Sequence, residues 1–242
     1  MKRRYKIIIN SVLCFLLCSS LMLAVPMLFK QKSDVPSFSE TSTDSTSPSD
    51  KEAVPNDFNG NGKPDSQDIL EGARADALNL PRYDDTYWPG GYPPDDVGVC
   101  SDVIWRAFKN AGYDLKRMVD EDIARRPEYY TEIAVPDKNI DFRRVVNLLV
   151  FFREYAIPLT TDPDQTEEWQ AGDIAVFCNK NGKPTHIGII SDMRAEDGTA
   201  FLIHNSGQPQ REENALRELI IMGHFRFDAS LLPEDMRFAW QE

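Results

Sequence analysis

Cys100, His186 and His204 are the residues of this 242-residue chain whose types and order suggest covalent chemistry. Cys100 opens the stretch CSDVIWRAFKNAGYDL directly after a glycine-containing loop. At a helix start, unpaired backbone N–H groups and the helix dipole favour a thiolate, and can lower a cysteine pKa from ~8.5 into the ~3.5–7.5 range. His186 begins the apolar run HIGIIS, and His204 closes the next one, AFLIHN. Two antiparallel strands joined by a turn would bring these imidazoles together, His186 as general base and His204 as its orienter. Taken singly, each residue has a plainer reading: a lone cysteine is a small buried hydrophobe, a lone histidine a satisfied core or surface group. The chain holds only 3 histidines, and two of them stand at the ends of neighbouring strands, which favours the joint reading.

The other groups of this kind carry less. Cys178 ends DIAVFC and reads as a buried thiol, while a Cys100–Cys178 disulfide would abolish the chemistry. His224, in IMGHFRF, reads as structural or supporting, and Asp173 as a turn residue at a strand start. A metallohydrolase on His186, His204 and an Asp is disfavoured, since no HExxH-type spacing occurs. No cofactor is expected for catalysis.

Helical spacing of Ile69, Leu70, Ala73, Ala77 and Leu78 predicts a first helix. Val103, Ile104, Ala107, Phe108 and Ala111 predict a second from Cys100 toward Leu115, with Gly112 near its end, and 143–154, RRVVNLLVFFRE, a third. After Trp169 the pattern turns to strands, DIAVFC, HIGIIS, AFLIHN and IMGHFRF, joined by polar turns. Helices first and an antiparallel sheet second make an α+β domain over 69–242.

The stretch DFNGNGKPDSQD, within 55–68, forms a candidate calcium loop. Asp57, Asn59, Asn61, Asp65 and Asp68 occupy its oxygen-bearing positions, and Gly62 allows the sharp turn. It is similar to dockerin-like loops, which end in Asp and lead into a helix. A turn-rich linker that binds nothing is the alternative. Structural Ca2+ suits an exported domain better than signalling.

Export is read from residues 1–30. A basic cluster, KRRYK, precedes the uncharged apolar run 7–29. At ~1.5 Å per residue that run crosses a ~30 Å hydrocarbon core, which favours an uncleaved signal anchor over a cleaved signal peptide. Flanking positive charge then places the domain outside the cytoplasm. Residues 31–54, rich in Ser, Thr, Pro and Asp, read as a disordered tether. Five of the 27 basic residues lie in 1–30, so 31–242 set 22 against 39 acidic residues. A body that acidic repels phosphate backbones, which excludes nucleic acid as a partner.

The ordered set YWPGG, GVCSDV, WQAGDIAVF, HIGIISD, FLIHNSG and GHFRF resembles the bacterial family known as domain of unknown function 1287, over roughly 70–228. That family is in turn similar to NlpC-type papain-like cysteine peptidases, many of which cleave amides of bacterial peptidoglycan. The resemblance implies a papain-like fold, Cys100 as nucleophile, His186 as base, and His204 or alternatively Asn205 as orienter. It also implies that Tyr87 helps to position the acyl group. Arg143 and Arg144 match the pattern too and could hold a substrate carboxylate, although a salt-bridged helix start explains them equally well. Those peptidases commonly carry Asp-Cys-Ser, whereas this chain has Val99-Cys100-Ser101-Asp102, whose acid opposes a thiolate. The expected activity is an extracytoplasmic thiol hydrolase acting on peptidoglycan stem peptides or other peptides. The alternative is a non-catalytic cell-wall-binding module of the same fold.

Overall fold

A computed structural model describes residues 56–241. The apolar run 7–29 and the tether 31–54 lie outside the described residues. Among the described residues no helix is long and apolar enough to cross a membrane.

The first helix, α1 (Asp65–Asn79), starts inside the 57–68 loop rather than at Ile69. Pro64 precedes it, and Asp65 and Asp68 place negative charge at the positive end of its dipole. A short parallel pair follows, β1 (Arg82–Tyr83) and β2 (Val97–Gly98). The second helix, α2 (Cys100–Asn110), is shorter than its periodicity suggests. Gly112 takes a left-handed φ of 87°, and Asp114 then accepts the Arg117 N–H at 3.0 Å to cap a separate helix, α3 (Leu115–Arg125). The apolar segment RRVVNLLVFFRE supplies α4 (Val145–Tyr155).

Six strands form one antiparallel sheet, β3 (Ala156–Pro158), β4 (Ile174–Cys178), β5 (Pro184–Arg194), β6 (Ala200–Ile203), β7 (Glu212–Glu213) and β8 (Ile220–Phe227), in the order β3-β8-β4-β5-β6-β7. The two-residue alternation of β4 builds two cores. Ile174 and Val176 join Ile187, Ile189 and Ile203 beneath the helices. Ala175 and Phe177 face the other way, to Trp169, Ile190, Leu202 and Leu216. The mixed α/β architecture with an antiparallel sheet agrees with the sequence reading. Its consequence for chemistry is direct: α1 packs on α2, and α2 packs on β5, so the start of α2 meets the strand that carries His186.

Candidate active site

Val99 is extended, with φ −121° and ψ −175°, and the chain enters α2 at Cys100. The Asp102 carboxylate accepts the Val99 N–H at 2.7 Å and so fixes this entry. The N–H groups of Ile187, Ser101 and Cys100 itself all favour the thiolate. Ile187 lies next to His186 on β5, short of Ile189, where pairing with β6 starts. The sequence reading expected these N–H groups to lower the thiol pKa. Burial outweighs them. Cys100 is 7% exposed, and desolvation, reinforced by the Asp102 charge, pushes its thiol up to about 11. Cys100 and Cys178 are both free, so the disulfide does not form, and Cys178 is half-buried rather than buried.

His186 and His204 come together as expected. His186 Nε2 lies 2.8 Å from His204 Nδ1, with the rings nearly perpendicular at 85°. The glycine of the HIGIIS motif explains the approach. A Cβ on Gly188 would stand 2.8 Å from the Ile203 carbonyl oxygen and 3.1 Å from His204 Cβ, so a side chain there would force the strands apart. Burial lowers His186 to about 4. Burial first, then the neighbouring His186 and the Arg211 guanidinium, lower His204 to about 3. Both imidazoles are therefore neutral at pH 7. The second nitrogen of His204, Nε2, faces Glu213 Oε1 at 3.2 Å, a residue the sequence reading did not single out.

Several expected site residues do other work. Arg143 is not open to a substrate carboxylate: its side chain is 1% exposed and forms a fork with Asp102, Nε to Oδ1 and Nη2 to Oδ2, both at 2.8 Å. Its third contact, to the Thr86 carbonyl at 3.3 Å, ties the YWPGG approach to the start of α2. This is the salt-bridged alternative, and it answers the misplaced acid at position 102 with a buried cation. Arg144 is half exposed, 3.9 Å from Asp141, and remains available to solvent. Asn205 does not reach His186. Its Nδ2 donates to the Pro81 and Gly98 carbonyls at 3.2 and 3.0 Å, pinning β1 and β2 in place.

The Tyr87 hydroxyl is bound to Asp137 at 3.1 Å and to Asn139 Nδ2 at 2.7 Å. Tyr83 pairs through its backbone with Gly98, two residues before Cys100, and its hydroxyl is raised by burial and, next, by the Cys100 charge. The YWPGG turn draws attention to Tyr87, whereas RYDDT offers no comparable signature for Tyr83.

In the 57–68 loop, Asp57 accepts the Asn61 and Gly62 N–H groups at 3.0 and 2.8 Å. The Asn59 and Asn61 amides meet Asp68, at 2.9 Å to Oδ2 in each case. Asp65 turns away, accepting the Phe58 N–H at 2.9 Å and the Tyr113 hydroxyl at 2.5 Å, so it is not among the converging groups. The oxygens of Asn59 and Asn61 accept the Asn61 and Lys63 N–H groups at 3.0 and 2.8 Å. Among the described residues no three His, Cys, Asp or Glu side chains group as metal ligands would.

An α+β domain in which a helix-opening cysteine meets the strand that carries one of a hydrogen-bonded pair of histidines is the class defined by this fold and site. The chain belongs to the family described as "Domain of unknown function (DUF1287)", whose model matches residues 70–227. It is 39% identical over 166 residues to "Uncharacterized protein YijF" of Escherichia coli (strain K12), covering 66% of this chain and 80% of that protein. No solved structure matches the chain.

Proposed function

We propose that the domain is a papain-like thiol hydrolase of the NlpC type, held outside the cytoplasm by its N-terminal segment and acting on peptidoglycan stem-peptide amides. The observation that carries this reading is the 2.8 Å His186–His204 contact on the strand whose next N–H, that of Ile187, serves the Cys100 sulfur. His186 Nε2 is engaged with His204, which leaves Nδ1 as the nitrogen able to take a proton.

The thiol and imidazole both rest in their neutral forms, so proton transfer accompanies attack. His186 takes the thiol proton as sulfur bonds to the amide carbonyl carbon. Backbone N–H groups at the start of α2 stabilise the resulting oxyanion. The C–N bond then breaks as His186 returns the proton to the leaving amine. Water, deprotonated by the same imidazole, attacks the thioester, releasing the acid and restoring the thiol. Stem peptides are favoured because they are abundant amides at that location.

Turnover of purified peptidoglycan by wild type and Cys100→Ala tests the reading. Loss of amide cleavage in the variant is the expected result, and retention of full activity overturns it. A second reading, a non-catalytic wall-binding module, is favoured by the thiol at about 11 beside an imidazole at about 4. Wall binding by wild type with no cleavage and no labelling of Cys100 by a thiol probe would select it. We further propose structural calcium in the 57–68 loop, held by Asp57, Asn59, Asn61 and Asp68.

A further inference from the structure

We infer that the cleft between the C-terminal halves of α1 and α2 binds a small zwitterion, an amino acid or short peptide with a free ammonium and a free carboxylate. The site stands apart from the hydrolase reading. At 3.6 residues per turn, Arg106 and Lys109 lie about 120° and 180° around α2 from Cys100, so the cleft opens on a face that the thiol does not share. Its volume is about 490 Å³, within the ~300–1,000 Å³ range of small-molecule sites.

The two helices make the floor. A Cβ on Gly72 would stand 2.5 Å from Asn110 Cβ and 2.9 Å from Ala107 Cα, so glycine is what lets α1 settle this closely on α2. One wall is an ion pair: Arg106 Nη1 donates to Asp76 Oδ1 at 2.7 Å, while Nη2 donates to the Pro94 and Val97 carbonyls, both at 2.9 Å. The other wall is Trp240, stacked on Trp105 with ring centroids 6.1 Å apart and set edge-on to Tyr92 at 5.3 Å. These contacts fix both walls.

What the walls leave over is of two kinds. Arg106 Nε and Trp240 Nε1 are buried donors, and among the described residues neither meets an acceptor, which is uncommon in native proteins. The Lys109 ammonium rests over the Trp240 ring at 4.8 Å rather than on a carboxylate. On the accepting side, Asn79 donates its amide nitrogen to the Asp95 carbonyl at 2.6 Å, which leaves its amide oxygen and the exposed Asp95 carboxylate at the rim. An anion alone would face Asp76 and Asp95, and a cation alone would face Arg106 and Lys109. A ligand with both charges suits each set. Its carboxylate accepts from Lys109 and Trp240 Nε1, and its ammonium donates to Asp95 and the Asn79 oxygen.

Isothermal titration of the full-length chain with the dipeptide Ala-Ala tests this. Binding is expected with a Kd of about 0.1–1 mM, and the Trp240 indole N–H resonance, assigned by its loss in Trp240→Phe, should shift in 1H–15N spectra. N-acetyl-Ala-Ala and Ala-Ala amide each lack one charge and should bind about tenfold more weakly, as should Ala-Ala to Asp95→Ala and to Lys109→Met. Both of those side chains are exposed, so the two variants keep the fold. Cys100→Ala should bind Ala-Ala as wild type does. No heat and no Trp240 shift at about 10 mM Ala-Ala overturns the inference, as does equal binding of the capped peptides or by the two rim variants. Loss of binding in Cys100→Ala overturns it too, by moving the ligand to the thiol. Failure of the peptidoglycan test with Ala-Ala binding intact would remove the hydrolase reading and leave the cleft's role standing.

Discussion

The sheet carries two buried histidine sites that differ in what they leave uncommitted. His224, on β8, directs Nδ1 to the Thr160 carbonyl at 2.8 Å and Nε2 to Asp173 at 3.0 Å. Both ring nitrogens are thus engaged with oxygen partners. Arg226 grips the same carboxylate with Nε and Nη2 at 2.8 Å, and Trp169 stacks flat on the ring at 3.8 Å. At the other site His186 spends one nitrogen on a neighbouring imidazole, and burial discourages its protonation. His224 is fully buried with both nitrogens engaged, whereas the half-buried His186 keeps one nitrogen uncommitted. The partner atoms make the difference.

The largest expected effects separate the two sites. His186→Ala should reduce peptidoglycan turnover by about 10²–10⁴-fold while leaving the denaturation midpoint nearly unchanged, because the ring is bonded through one nitrogen only. Asp173→Asn should do the reverse. It leaves the Arg226 cation and the His224 ring without their shared carboxylate and should lower stability by about 3–5 kcal/mol in a urea titration. Cys100 labelling should persist in the Asp173→Asn protein that remains folded. If Asp173→Asn instead abolishes labelling in folded protein, the two sites are not separate and the comparison fails.

How far the sequence discloses this contrast depends on the range of each interaction. The helix entry at Cys100, the apolar faces of α1, α2 and α4, and the His186–His204 neighbourhood follow from periodicity and a single turn, and all are legible. The Asp102–Arg143 fork joins a helix start to the edge of a distant one, and no local pattern announces the pairing. Glu213 lies on a strand of two residues, too short for any alternation to show. Asp65 fits the calcium spacing, yet Tyr113 draws it out of the loop. Most telling is Cys100. The helix-end argument for a low pKa is correct in sign, but desolvation depends on everything that packs over the sulfur, which only the fold decides.

The depressed imidazoles also carry a stability signature with a definite sign. In the unfolded chain both rings take protons near the ordinary imidazole value of 6.5, whereas the folded site holds them off until about 4 for His186 and about 3 for His204. Between those limits the unfolded state binds more protons. Stability is therefore full above pH 6.5 and falls as pH drops toward 4, by roughly 1.4 kcal/mol per pH unit for each ring. Asp76 and Asp120, raised by burial, act in the opposite sense, and comparison with a His186→Gln/His204→Gln double variant cancels them. The wild-type midpoint should fall faster with acid than that of the variant. Parallel curves would show that the two rings titrate as they do in the unfolded chain.

Calcium gives the smallest effect and sharpens the division between structure and chemistry. The 57–68 loop is coupled to the far end of α2 through Asn59 Nδ2 on the Asn110 carbonyl at 3.2 Å, and to the following turn through Phe58 stacked on Tyr113 at 4.1 Å. An ion held by Asp57, Asn59, Asn61 and Asp68 would tighten these contacts without reaching the other end of α2, where Cys100 lies. For an extracellular-type Kd of roughly 10⁻⁴–10⁻³ M, 1 mM calcium should stabilise the fold by about 0.4–1.4 kcal/mol, a rise of roughly 1–6 °C in Tm for a domain of this size. Asp57→Asn/Asp68→Asn should remove the rise. Alkylation of Cys100 should proceed at the same rate with calcium or with chelator. A calcium-dependent rate would mean that the loop governs the thiol through α2, and an unchanged Tm would mean that the Asn59–Asp68 and Asn61–Asp68 bonds already do the work of the ion.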